Sequence, residues 1–194
     1  MNETAERLMD LAEGHIRNAG YGSFSFRDLA AAVGIKSASV HHHFPTKATM
    51  AVAVVRRYGD RFLAVVATSP DETPAEAIAT YRSAFRAALE RDGLMCLCGV
   101  LGAEAGVLSS DVAEAIQSFF HRCIEDLSTR IGGPDSTAKA FHVMATLEGG
   151  MMLARAYGSI EAFDQATICL VQSPLDAASH VTEGNAAPPY VDCV

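Results

Sequence analysis

Three consecutive histidines, His41, His42 and His43, and five cysteines, Cys96, Cys98, Cys123, Cys169 and Cys193, are the side chains best suited to hold a metal ion or to act as nucleophiles. On a helix, successive residues point about 100° apart, so three adjacent histidines cannot converge on one ion as a pair spaced by four can. An odd cysteine count without framework spacing argues against a disulfide scaffold. The run Met95-Cys96-Leu97-Cys98 follows an Asp92-Gly93 break, at the start of a Gly-rich segment and near Arg91. Positive charge there would favour thiolate and reaction with oxidants or electrophiles. The competing readings are burial of two small residues beside Gly99 and Gly102, or a metal site joining Cys123 to His121 or His142. No phosphate-binding glycine loop, strand-based nucleophile turn or spaced ligand pair supports an enzyme, and no cofactor or metal is expected.

A second group of polar side chains points to nucleic acid. The stretch 25–47, SFRDLAAAVGIKSASVHHHFPTK, reads as two short helices joined at Gly34 and ended by Pro45. Ser25 with Asp28 makes a capping box, and Phe26, Leu29, Ala30 and Val33 recur at helical spacing. Small Ala30 allows two steeply crossed helices to approach, with Val40 anchoring the second. That second helix, roughly 37–44, would expose Lys36, Ser37, Ser39, His41 and His42, short polar or cationic groups that reach base edges and phosphates from the major groove. His43 is expected to turn inward against Phe44 and Tyr21. Lys47 is expected to meet a phosphate at the start of the next helix, with Ser25 and Arg27 as further phosphate candidates.

The run GIKSASVHHHFPTK resembles the DNA-binding signature of the TetR family of bacterial transcriptional regulators, and the resemblance covers residues 5–58. Lys36 stands where a Ser or Thr usually caps the recognition helix, so Ser37 is expected to take over the cap. His41 stands where a Tyr usually meets a phosphate. The resemblance implies a homodimer that binds double-stranded operator DNA, most simply as a repressor, and a body that receives a small-molecule or electrophile effector. It assigns subunit contact to LEGGMMLARAY, and so to Leu147, Gly149, Gly150, Met151 and Ala154. Two glycines in mid-helix each cost about 1 kcal/mol relative to Ala, and close approach by another helix would offset this. Phe62, Phe119, His121, Cys123 and Glu148 could line the implied ligand cavity, although a Met and aromatic stripe also suits plain core. A cysteine followed by a Gly-rich helix resembles one subgroup of the family with cysteine-based sensing, which adds Cys96 and Cys98 to the sensing candidates.

These sites need elements to carry them. With 49% apolar residues in 194, the chain can build a sizeable core. Its net charge of −8 is unevenly placed: residues 1–59 carry seven basic and five acidic side chains, and the rest carry eight and eighteen. A weakly basic head on an acidic body suits a protein that touches DNA at one end. Neither a signal peptide nor a run of eighteen apolar residues is visible, so the chain is expected in the cytoplasm without a membrane partner. Helical periodicity without sustained period-two alternation gives an all-α class of about nine helices: a three-helix head over 1–46 and a regulatory and dimerisation body over 47–172. Within that body, 47–68 forms a connector helix, and 173–194, rich in Pro, Ala, Ser and Gly, reads as a flexible tail. The other readings are an enzyme using the body Cys and His residues, or a structural helical dimer without DNA binding.

Overall fold

The computed structural model describes residues 3–67 and 72–171, and these form nine α-helices with no strand among the described residues. Helix α1, Glu3–Ala19, buries Leu8, Met9, Ala12 and Ile16 at helical spacing. His15 and Ala19, which share that spacing, face solvent, and Glu13 and Arg17 are buried instead. Ion pairs make that tolerable: Arg17 meets Asp92 at 3.0 Å and Glu13 meets Arg57 at 3.4 Å and Arg61.

Helices α2, Phe26–Val33, and α3, Ser37–His43, form the helix-turn-helix. The capping box is present, with Ser25 Oγ accepting from the Asp28 amide at 3.2 Å and Asp28 accepting from the Ser25 amide at 3.2 Å. Gly34 adopts φ 79° and ψ 34°, the left-handed conformation that a side chain disfavours. Its amide and that of Ile35 both close on the Ala30 carbonyl, at 3.0 and 2.9 Å. The cap of α3 differs from expectation. Lys36 is the N-cap and makes no side-chain cap bond, and Ser37 is already the first helical residue.

Helix α4, Lys47–Val66, starts under a Thr46 cap whose hydroxyl accepts from the Thr49 amide at 3.0 Å. It ends at Val66, short of the expected 68, and Thr68 lies outside the described residues. Helix α5, Pro74–Asp92, carries the Thr73–Glu76 capping box with Pro74 at its first position. Helix α6 is shorter than the Gly-rich segment that follows the Asp92-Gly93 break in the sequence. It spans Leu97–Ala103, and a 3-10 turn, Ala105–Val107, follows. The preceding segment cannot join α6, because Arg17 holds the Leu94 and Met95 carbonyls and Asp92 holds the Leu94 amide. Helices α7, Ser110–Ile131, α8, Ser136–Tyr157, and α9, Ile160–Thr167, complete the body. Gln172 and the expected tail, with Cys193, lie outside the described residues.

Helix α8 lies between α7 and α9, and α4 runs against α7. One continuous apolar core joins the head, through Leu8, Ile16 and Val40, to the body, through Val54, Leu101, Phe119 and Leu147.

Candidate nucleic-acid interface and sensory core

Helix α3 buries Val40 and leaves Lys36, Ser39, His41 and His42 exposed, with Ser37 half-buried, so the expected polar face is presented outward. His41 is held in place: its Nδ1 lies 3.3 Å from the Pro45 carbonyl and its ring stands edge-on to Phe26 at 4.9 Å. His42 and His43 rings meet at 5.6 Å, and half-buried His43 lies 6.4 Å from Phe44. A shallow depression beside the helix is lined by Ile35, Ala38, Ser39, His42 and His43. No group of three His, Cys, Asp or Glu side chains among the described residues is placed to hold a metal ion.

Two phosphate candidates stand differently from expectation. Lys47 is not a free surface cation. Its ammonium donates to the Phe24 carbonyl at 2.7 Å and sits 4.3 Å from the Phe24 ring and 4.7 Å from the Tyr21 ring, and burial lowers its pKa. It therefore clamps the strand of chain before α2, with donor capacity left over for an anion. Ser25 Oγ is committed to Asp28 at 2.6 Å, which holds the Asp28 carboxyl below its usual range. Arg27 and Lys36 remain exposed. Thr46, at the mouth of α4, was not among the residues the sequence suggested, although Thr49 three positions on was a visible capping signal.

In the body, Phe62 stands edge-on to Tyr81, Phe85 and Phe119 at 5.6, 5.6 and 5.7 Å, and Tyr58 lies 5.7 Å from Phe119. Phe62 and Phe119 are thus brought together, but their rings fill the space between them. Open space lies to one side, in a cleft of about 550 Å³ between α1, α4 and α5 lined by Arg17, Tyr58, Arg61, Phe62 and Leu94. A second groove, of about 680 Å³, runs over α7 and α8 past Phe120, His121, Ile124 and Phe141. His121 is exposed and 4.0 Å from Glu125, whereas Cys123 is fully buried, so the two do not share a site.

The thiols depart most from expectation. Cys96, Cys98 and Cys123 are buried, and Cys169 is exposed. Burial, with the Glu148 carboxyl nearby, holds Cys96 and Cys98 well above the usual thiol range, and Cys123 is pushed up to about 12. Arg91 does not favour thiolate, because it is exposed and turned to Asp92 at 3.3 Å. Glu148 is itself unusual: both carboxyl oxygens are shielded from solvent without a hydrogen bond of full geometry, and burial raises its pKa to about 7.

The expected subunit-contact residues are mostly internal. Leu147, Gly150, Met151 and Ala154 are buried within their own chain. A Cβ on Gly150 would lie 3.0 Å from both Phe163 and Thr167 of α9, so the close approach that this glycine permits is intramolecular. Gly149 faces open space. It belongs to an outer stripe of α8 formed by Phe141, Ala145, Gly149, Met152 and Ala156, flanked by exposed Leu153 and Tyr157.

Residues 8–54 match the family model described as bacterial regulatory proteins, tetR family. A TetR transcriptional regulator from Legionella pneumophila superposes with a TM-score of 0.81 at 29% identity, covering 88% of this chain and 96% of that one. Residues 8–54 thus form a TetR-family DNA-binding domain, and the chain as a whole has the fold of TetR-family regulators. A TetR-family regulator from Agrobacterium tumefaciens is similar over 87% of this chain and 95% of its own, with a TM-score of 0.81 at 27% identity. NemR of E. coli, in its reduced form, shares the fold at 20% identity, with a TM-score of 0.75 over 87% of this chain and 95% of that one. No curated protein sequence matches the chain. The TetR assignment makes DNA-binding transcriptional regulation the general role of this fold, and no helix among the described residues is long and apolar enough to cross a membrane.

Proposed function

We propose that this TetR-family protein is a homodimeric repressor that binds a palindromic operator through α3 and releases it on a signal received in the body. The observation that carries the reading is the outward polar face of α3, Ser39 and His42 above all, on a helix-turn-helix whose turn and cap are both formed. Arg27, Lys36 and the residual donors of Lys47 supply phosphate contacts around it, with Ser37 and His41 at the edge of the footprint. Subunit pairing through the outer stripe of α8 would bury Phe141, Met152, Leu153 and Tyr157, large apolar side chains that the single chain leaves in water. This replaces Leu147, Gly150, Met151 and Ala154 as contact residues and retains Gly149. Residues 1–46 act as the reading head and 47–172 as the regulatory body.

The signal is a small molecule or an electrophile. Two heads match two half-sites at one separation only, so a tilt of α1 and α4 displaces one of them. A gel shift against DNA upstream of its own gene tests the reading. Ser39→Ala and His42→Ala should each lose roughly 1 to 3 kcal/mol of discrimination for the specific sequence. Binding that never distinguishes that DNA from a random duplex would favour a structural dimer without operator recognition.

A further inference from the structure

The ring of His41 is fixed from two sides. Phe26 of α2 meets it edge-on with ring centroids 4.9 Å apart, and its Nδ1 lies 3.3 Å from the Pro45 carbonyl oxygen. A carbonyl oxygen only accepts, so Nδ1 must carry the proton of this bond. The other nitrogen then has one role per charge state. In the neutral ring Nε2 is a bare lone pair, and it becomes a donor only when the ring takes a second proton and a positive charge. Turning the ring over would set a carbon against the Pro45 carbonyl and forfeit the bond, so the roles of the two nitrogens are set by the fold.

His41 is exposed, in the last turn of the helix that carries the polar face. Among the described residues its one hydrogen bond is to Pro45, and no carboxylate is paired with it. Helices α1 and α2 pack against α3. On α2 the charged groups are exposed Arg27 and Asp28, whose carboxylate is held by the Ser25 hydroxyl at 2.6 Å. On α1, Glu6, Asp10, Glu13 and Arg17 are taken up by ion pairs with Arg57, Arg61 and Asp92, which leaves Glu3, Arg7 and His15. Around α3 itself stand Lys36, His42 and His43, and Lys47 beyond Pro45 is held at the Phe24 carbonyl. An imidazolium at position 41 thus has no partner anion within its own chain.

We propose that His41 contacts the DNA backbone only as an imidazolium, so that DNA binding takes up one proton per subunit and tightens as the pH falls. The inference rests on the DNA-binding reading and adds the proton to it as a second input beside the effector. A neutral Nε2 would turn a lone pair toward a phosphate oxygen, acceptor against acceptor. The charged ring instead donates N–H to an anionic oxygen, a charge-assisted bond. The proton comes from solvent and returns to it on release. Histidine is the side chain that changes charge between pH 5 and 8, so the effect falls in a range that cells visit.

The test measures binding of the full-length protein to the DNA upstream of its own gene, and to a random duplex of the same length, at fixed salt from pH 6 to 8. A phosphate contact acts on both duplexes alike. Wild-type affinity should fall over that range by on the order of tenfold for each bound His41. His41→Leu should lose the gain at pH 6. His41→Tyr keeps a ring and supplies a hydroxyl donor that does not titrate here, so it should bind more tightly than wild type at pH 8 and show little response to pH. A wild-type response that persists in both variants would put the titrating group elsewhere and overturn the proposal. Proton–nitrogen correlation NMR reads the ring without DNA: neutral His41 should carry its proton on Nδ1, and a proton on Nε2 would overturn the proposal by itself. Tight binding that ignores pH defeats the proposal alone, whereas failure to bind either duplex at any pH defeats the DNA-binding reading and the proposal with it.

Discussion

Glu148 makes a stability prediction. Its pKa stands near 7 in the folded chain against 4.5 ordinarily, so the folded state holds the proton more tightly than the unfolded state does. Stability is therefore greatest below about pH 4.5 in this respect, falls as pH rises to 7, and is level above that. The full loss is about 3 kcal/mol. Glu148→Gln should match the wild type near pH 5 and exceed it in melting temperature at pH 8; equal melting at pH 8 would mean that the carboxyl is not held out of water. Lys47 makes a second test at this scale. Lys47→Ala removes a charged hydrogen bond to the Phe24 carbonyl and two ring contacts, and about 1 to 3 kcal/mol of stability should be lost along with DNA affinity. Comparing that variant's melting temperature with its salt slope on DNA separates the clamp from the phosphate contact. None of this was visible from residue types alone. The FPTK run placed Lys47 at a helix start, but the carbonyl it binds lies 23 residues earlier, and pairing at that range is a property of the folded chain.

Local signals located the helices well, because caps and glycine turns are written in adjacent residues: Ser25 with Asp28, Thr73 with Glu76, and Gly34 all act as their spacing implied. Their faces were harder to assign. Helix α8 carries large apolar side chains on its outer face, Phe141, Met152 and Leu153, as well as on its inner one, so periodicity could not say which side meets its own chain and which meets another. The two glycines separate the sides. Gly150→Leu should clash with Phe163 and Thr167 and destabilise each chain by about 1 to 3 kcal/mol or more, seen as a lower melting temperature. Met152→Asp, on the outer stripe, should leave the monomer folded and weaken the dimer, seen by sedimentation at micromolar concentration. If Met152→Asp stays fully dimeric, the subunit contact lies elsewhere. The shorter α6 had a cause that spacing could not reveal: Arg17, 77 and 78 residues away, occupies the carbonyls that an extended helix would have used.

Across the whole molecule, the acidic body repels DNA while the head attracts it, so binding should weaken steeply with salt, the logarithm of affinity falling linearly with the logarithm of salt concentration. A gel shift at 50 and 200 mM salt measures it; a flat response would remove the phosphate contacts from the account. The charge imbalance was legible in the sequence, whereas the clefts and the buried acid required helices far apart in the chain to meet. The same long-range ties govern how separable the head is. Arg17 is rooted in Asp92, Leu94 and Met95, the Tyr21 amide is bonded to Glu104 at 2.9 Å, and Arg155 of α8 holds the carbonyls of Arg17 and Asn18. A hybrid regulator made by transplanting residues 1–46 onto a foreign body would sever all of these at once. The portable unit for such engineering is the head together with its sockets at 92–95, 104 and 155, and a graft that omits them should bind DNA while ignoring every signal its new body receives.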